Sequence, residues 1–190
     1  MRVIAGTLKG RRLKTPSWEG LRPTSDKLRE TLFNILAPRV AGARVVDGYA
    51  GTGALGIEAA SRGAREVTFI DDDRRAQALI AANVAHCRIE NQCAIIRAKV
   101  ARAIERLRDG PAFEPFDIVL LDPPYAGEPS SDLDAILRAA GRLLARGGVV
   151  VLEHARRATV PDAAGDLSRA RSVTSGDSAV SVYERRETMR

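Results

Sequence analysis

Three carboxylates stand where short apolar runs end: Asp47 after "VV", Asp71 after "VTFI" and Asp122 after "IVLL". Between the first two lies "GYAGTGALG", in which Gly51, Gly53 and Gly56 have the spacing G-x-G-x-x-G. A glycine turn opening a helix lets a ligand lie against bare backbone, and Asp71, 20 residues after Gly51, stands where an acceptor for ribose hydroxyls is expected. Asp47 immediately precedes the turn and discriminates between ligands. A pyrophosphate beside a carboxylate is repelled, whereas the ammonium and sulfonium of S-adenosylmethionine are attracted. The motif therefore favours S-adenosylmethionine over a nicotinamide dinucleotide. The plainer alternative is that Asp47 and Asp71 only cap the segments that follow them.

The third carboxylate opens Asp122-Pro123-Pro124-Tyr125. An exocyclic amine on a nucleobase shares its lone pair with the ring and is a poor nucleophile until both N–H groups are gripped. Asp122 offers one acceptor and the Pro123 carbonyl a second, aimed by two residues whose φ is fixed. Tyr125 offers a flat face on which the base can stack. As an isolated tetrapeptide this would read as a tight turn. After an all-apolar strand and downstream of the glycine loop, it reads as an acceptor site for methyl transfer.

These residues need a frame that brings strand ends together. From residue 40 onward, β-branched runs alternate with Ala/Leu/Arg stretches, which predicts parallel strands covered by helices. Strands are expected at 44–47, 66–70, 94–97, 118–121 and 149–153, and helices at 54–62, 74–85, 101–108 and 133–145. "LSRARSV" and "SAVSVYERR", joined by "TSGD", predict an antiparallel pair closing the sheet. Ligands of such sheets bind outside the carboxyl ends of the strands, so Asp47, Asp71 and Asp122 are expected on one rim. The expected fold is α/β and Rossmann-like. In the first 40 residues, two β-like pieces surround Gly6 to Gly10. A helix then starts after Pro23, capped by Thr24 or Ser25, with Leu28, Leu32, Phe33, Ile35 and Leu36 inward and its basic residues outward.

Of the net charge of +6 over 190 residues, the first 30 residues carry +5, from eight basic against three acidic groups. A charge excess at one end suits a phosphate-binding arm, and equally a solvated basic face. No run approaches a membrane span and the N-terminus lacks a secretory h-region, so a cytoplasmic protein is expected. Cys87 and Cys93 read as small buried hydrophobes. His86 and His154 lack ligand spacing, so no metal is expected. Trp18 could stack on RNA or anchor local packing.

"DGYAGTGALGIEAASRGA", "DPPY" and the N-terminal "RVIAGTLKGRRL…RPTSDKLRETLFNIL" together resemble the bacterial 16S ribosomal RNA guanine-N2 methyltransferase family, of the class I S-adenosylmethionine-dependent fold. The likeness covers almost the whole chain, and the N-terminal block is its most discriminating part. It implies that Asp122, Pro123, Pro124 and Tyr125 hold the guanine amine. It also implies that Asp47, Tyr49, Ala50, Gly51, Gly53, Asp71, Asp72 and Ala98 hold S-adenosylmethionine. Arg2, Lys9, Arg11, Arg12, Arg22 and Thr24 would meet RNA. Residues 1–40 would form an RNA-binding extension packed on a methyltransferase domain of residues 41–190. The substrate would be 16S ribosomal RNA, within a small-subunit assembly particle, and the protein a monomer. The chain departs from the family pattern in two places. Gly48-Tyr49 replaces two apolar residues, keeping a ring but loosening the turn, and Lys99 stands where an adenine acceptor is usual, leaving backbone between Ala98 and Val100 to serve.

Other functions fit less well. A DNA adenine-N6 or cytosine-N4 methyltransferase needs a region to read base sequence, and only about 40 residues lie outside the core. A non-catalytic RNA-binding protein has no use for the intact loop and tetrapeptide. A nicotinamide dehydrogenase lacks hydride-handling His, Lys or Tyr residues near the rim.

Overall fold

The structure, a computed structural model, describes residues 1–16, 18, 25–124 and 130–186. After helix α1 (Asp26–Val40), the chain alternates β1 (Arg44–Gly48), α2 (Ala54–Ser61), β2 (Glu66–Asp71), α3 (Arg74–Cys87), β3 (Cys93–Arg97), α4 (Val100–Arg108), β4 (Phe116–Leu121), α5 (Ser130–Gly141) and β5 (Leu144–Ala155). Three antiparallel strands follow, β6 (Ala163–Ala164), β7 (Leu167–Ser175) and β8 (Ser178–Arg185). All eight form one sheet in the order β3-β2-β1-β4-β5-β8-β7-β6. β1 to β5 are parallel, and the order reverses between β1 and β4, the switch point where such sheets open a crevice.

Each central strand is apolar on both faces because both are covered. Val45, Ile118, Leu120, Val149, Val151, Val180 and Val182 pack with Leu32 and Phe33 of α1, Ile57 of α2 and Ile80 of α3. Val46, Val119, Leu121, Val150 and Leu152 pack on the other side with Ile104 of α4 and Leu137 of α5. Side chains of this size contribute about 1.5–3 kcal/mol each when fully buried. The two-sided core makes the strand ends a rigid base for the rim.

Three expectations need correction. The helix expected to reach Ala145 ends at Gly141, and β5 begins at Leu144, which pairs with Phe116 before a bulge. Leu144 is buried against β4 on the α4/α5 side, so an apolar position that matched a helical period serves a strand. On α1, Ser25 is the N-cap and accepts from Leu28 N, as expected, while Thr24 lies outside the described residues. Arg29, expected outward, is fully buried; its Nη2 donates to Arg2 O at 2.7 Å and to Asp26 Oδ1 at 2.7 Å. It ties the first residues of the chain to α1. Gly48 does not loosen the turn: its φ is not left-handed, and a Cβ there would meet Leu121 Cδ2 at 3.0 Å and Val100 Cγ1 at 3.2 Å. It lets β1, β4 and α4 approach one another.

Candidate active site

Both carboxylates on the β1–β2 side are held by backbone. Asp47, 1% exposed, accepts from Gly56 N at 2.8 Å, fastening the first turn of α2 to the end of β1. Asp71 accepts from Gly51 N at 2.9 Å and from Asp73 N at 2.9 Å, so it shapes the glycine loop and the start of α3 at once. The loop between them runs through left-handed backbone at Tyr49 (φ 60°), Gly51 (56°) and Gly53 (77°). Tyr49 adopts a conformation that a side chain disfavours, at the switch point itself. Gly56 serves packing: a Cβ there would lie 2.3 Å from the Phe69 ring and 2.8 Å from Val67. The third glycine of the motif thus sets how closely α2 lies on β2.

Burial pushes the Asp47 carboxyl up to about 7; the Gly56 N–H pulls it down and the Asp71 charge pushes it up further. Burial also raises Asp71, opposed by the N–H groups of Gly51 and Asp73. Carboxylates held this way are short of positive charge. A ligand that brings an ammonium or sulfonium supplies it, and one that brings a pyrophosphate deepens the deficit. The donor set therefore fits S-adenosylmethionine. Asp72 is exposed beside Asp71. Ala98 N donates to Asp71 O at 3.3 Å, so this residue can offer a passing adenine its carbonyl and methyl but not its N–H. Lys99, exposed, precedes α4 without a side-chain cap.

The acceptor motif leaves the neighbouring strand. Gly48 lies beside Leu121 in the β1–β4 ladder, and Asp122 N reaches back to Gly48 O at 3.4 Å. Asp122 is half-buried, Pro123 buried and Pro124 exposed. Tyr125 lies outside the described residues. Asp47, Asp71, Asp72, the Tyr49–Gly53 loop, Ala98 and Asp122 are thus brought to one rim.

The basic residues of the arm are divided. Met1 to Leu13 fold back on themselves, with Val3 N on Arg11 O at 3.0 Å, Gly10 N on Val3 O at 2.9 Å and a single bridge between Arg2 and Arg12. The open end lies by the rim, where Thr52 Oγ1 meets Met1 Sδ at 3.6 Å. The bend lies at the other end of α2, where Leu8 N donates to Ser61 Oγ at 2.9 Å. Arg11 is tied there too, donating to His86 O at 2.8 Å at the C-terminal end of α3. Arg2 and Arg12 therefore lie nearer the rim than Lys9 and Arg11. Arg22 and Thr24 are outside the described residues.

Three buried polar residues that sequence reasoning missed dock the arm. Glu58, fully buried on α2, accepts from Ile4 N at 2.7 Å, Ala5 N at 3.0 Å and Arg62 Nε at 2.8 Å. Ser61 donates to Ala5 O while accepting from Leu8 N. Asn83 accepts from Lys14 N at 2.8 Å and donates to Lys14 O at 3.1 Å and Thr52 O at 3.0 Å, joining the arm to the glycine loop. A carboxylate, a hydroxyl and an amide on otherwise apolar helix faces are their only trace in the sequence.

The remaining candidates have local roles. The Arg75 guanidinium lies 5.1 Å from the Trp18 ring centroid while bonded to Asp73, a packing contact near the start of α3. His154 is buried, with Nδ1 on Ala155 O at 3.0 Å and Nε2 on Ser181 Oγ at 2.9 Å. A carbonyl only accepts, so Nδ1 carries a proton, and burial lowers the pKa of the ring. Cys87 is buried, and burial pushes the Cys93 thiol up to about 12. Among the described residues there is no group of three or more His, Cys, Asp or Glu that could hold a metal, and no helix long and apolar enough to cross a membrane.

This geometry can be set beside known proteins. "Ribosomal RNA small subunit methyltransferase D" of Escherichia coli K12 is 34% identical over 185 residues, 97% of this chain and 90% of that protein. The solved structure of a hypothetical protein from Thermus thermophilus superposes with a TM-score of 0.79 at 28% identity, covering 96% of this chain and 98% of that one. A methyltransferase-type chain solved with SAH, SMU.776, shares the fold at a TM-score of 0.68 and 18% identity, over 82% of this chain and 48% of its own. The family described as "Conserved hypothetical protein 95" matches residues 1–184. The chain belongs to that family and is a class I S-adenosylmethionine-dependent methyltransferase.

Proposed function

We propose that the protein methylates the exocyclic N2 amine of a guanine in the 16S ribosomal RNA of the small subunit. The observation that carries this reading is the junction of β1 and β4. Asp122-Pro123-Pro124 starts one residue beyond the Gly48–Leu121 pair, with Asp122 N on Gly48 O, so the amine-gripping acceptors adjoin the loop fitted to the methyl donor. The name of the Escherichia coli relative supports ribosomal RNA as the substrate class.

When bound, S-adenosylmethionine supplies a methyl group activated by the sulfonium, which N2 takes as the C–S bond breaks, releasing the demethylated cofactor. The chain's part is positional. Asp122 and the Pro123 carbonyl each accept one N–H of the amine, turning its lone pair toward the donor loop. As N2 gains the methyl it must lose a proton, and Asp122 takes it and passes it to solvent. Tyr125 supplies the stacking face that holds the base out of its helix. Asp47 offsets the positive charge at the methionine end, and Asp71 accepts from the ribose hydroxyls. Residues 1–40 act as the RNA-binding extension, docked through Glu58, Ser61 and Asn83, and residues 41–190 as the methyltransferase domain.

The test is substitution of inosine for guanosine in the small-subunit RNA. Inosine lacks the 2-amine and keeps the rest of the base, so inosine-containing RNA should bind and accept no methyl. Undiminished methylation of that RNA defeats the guanine-N2 reading.

A further inference from the structure

The arm carries most of the net charge, yet Lys9 and Arg11 lie at the end of α2 and α3 away from the rim. RNA whose base is held at Asp122 needs phosphate contacts on the acceptor side, at β4 and β5. There β5 outruns β4. Their ladder ends at Leu121 beside Leu152, and β5 continues through Glu153 and His154 to Ala155. Three residues at about 3.3 Å each carry it roughly 10 Å past the last β4 residue.

It then turns on Arg156 and Arg157. Ala158 N donates to Ala155 O at 2.9 Å, which makes the two arginines the corner residues of a closed turn. Arg156 N donates to Asp177 O at 2.8 Å, pinning the turn to the β7–β8 hairpin. That hairpin is itself paired with β5 up to Ala155 and Ser178. Both arginine side chains are exposed, and among the described residues neither forms an ion pair. The one acid on the turn that pins them, Asp177, is exposed and engages Arg156 through its backbone carbonyl. Two guanidinium groups are therefore presented on a rigid corner above the acceptor motif. Planar forks of this kind suit phosphate oxygens.

The geometry points to the Arg156–Arg157 turn as a phosphate-binding corner that grips the RNA backbone beside the nucleotide being methylated. The inference rests on the RNA reading above. It assigns the turn to substrate capture on the acceptor side, separate from the arm.

Filter binding of small-subunit ribosomal RNA between 50 and 300 mM salt tests it, with three variants. Each phosphate that is no longer neutralised should flatten the plot of log affinity against log salt by about 0.7 to 0.9. Arg156→Ala with Arg157→Ala should therefore lower the slope by about one to two, with thermal stability and S-adenosylmethionine binding unchanged. Lysine at both positions should restore most of the slope. The control removes the same charge at the opposite end of the sheet, Arg142→Ala with Arg146→Ala, and should leave the slope alone. If the Arg156/Arg157 variant runs parallel to a salt-dependent wild type, or the control flattens the plot equally, the corner does not touch RNA and the inference fails while the RNA reading stands. If the wild type shows no salt-dependent RNA binding, the RNA reading fails and takes the inference with it.

Discussion

The two halves of the rim are built differently. On the β1–β2 side, Asp47 and Asp71 are buried or half-buried and already bonded to the backbone of the loop they serve. On the β4 side, Asp122 sits on a proline-stiffened exit from its strand, with its own N–H on Gly48 O. The first half is a finished cradle for a small ligand of constant shape. On the function proposed above, the second admits a base swung out of a folded RNA, and its rigidity comes from prolines and from the strand beneath. Damage to the first should therefore appear in cofactor affinity or stability, and damage to the second in turnover.

The sharpest break is Asp122→Ala. Losing the acceptor that orients the amine and takes its proton should cut turnover by about 10²- to 10⁴-fold, with cofactor affinity nearly unchanged in calorimetry. A parallel loss of cofactor affinity would mean that the halves are not separate. Next is Gly56→Ala, whose Cβ would press into the Phe69 ring and Val67. It should destabilise the fold by about 1–3 kcal/mol in denaturant unfolding and weaken cofactor binding through the displaced loop. Asp71→Ala should weaken S-adenosylmethionine binding by about 1–3 kcal/mol while turnover at saturating cofactor holds. Unchanged affinity would move the ribose contact to the neighbouring Asp72.

A smaller and graded effect concerns pH. With Asp47 pushed up to about 7, the folded, ligand-free protein holds a proton that the unfolded chain releases near its ordinary value of 3.8. Stability from this group is therefore greatest at low pH and falls as pH rises from about 4 to about 7. A cationic ligand favours the ionised form, so cofactor affinity should rise with pH up to about 7 and then level. Below pH 7, binding should release up to about one proton, read from calorimetry in buffers of different ionisation enthalpy. Asp47→Asn should abolish that release. The mildest expected change is in the arm. Neutralising Arg11 and Arg12 should flatten the salt dependence of RNA binding by about one unit or less, because Arg11 is tied to His86 O.

The contrast also separates what was legible in the sequence from what was not. The cradle was legible because its parts are local: a strand, a glycine turn, a helix, and an acid at the next strand end. The correct edge for Asp122 followed from topology alone. Arg29, Glu58, Ser61 and Asn83 were not legible, because a polar residue on a helix ordinarily faces water, and only the arm folding back over α1, α2 and α3 buries these. Gly48 looked like slack for the same reason, since its crowding comes from Leu121 and Val100, far away in the chain. Position within the arm was hidden too. Its charges read as one patch, whereas the fold puts Arg2 and Arg12 toward the rim and Lys9 and Arg11 at the far end.

The proposed reaction at this rim is transfer of a methyl group to guanine N2. Its most direct test incubates the protein with small-subunit RNA and methyl-labelled S-adenosylmethionine, digests the RNA to nucleosides and identifies the labelled one by mass spectrometry. Label is expected in N2-methylguanosine and is lost with Asp122→Ala. Label in N6-methyladenosine or N4-methylcytosine, or label that persists without Asp122, would contradict it.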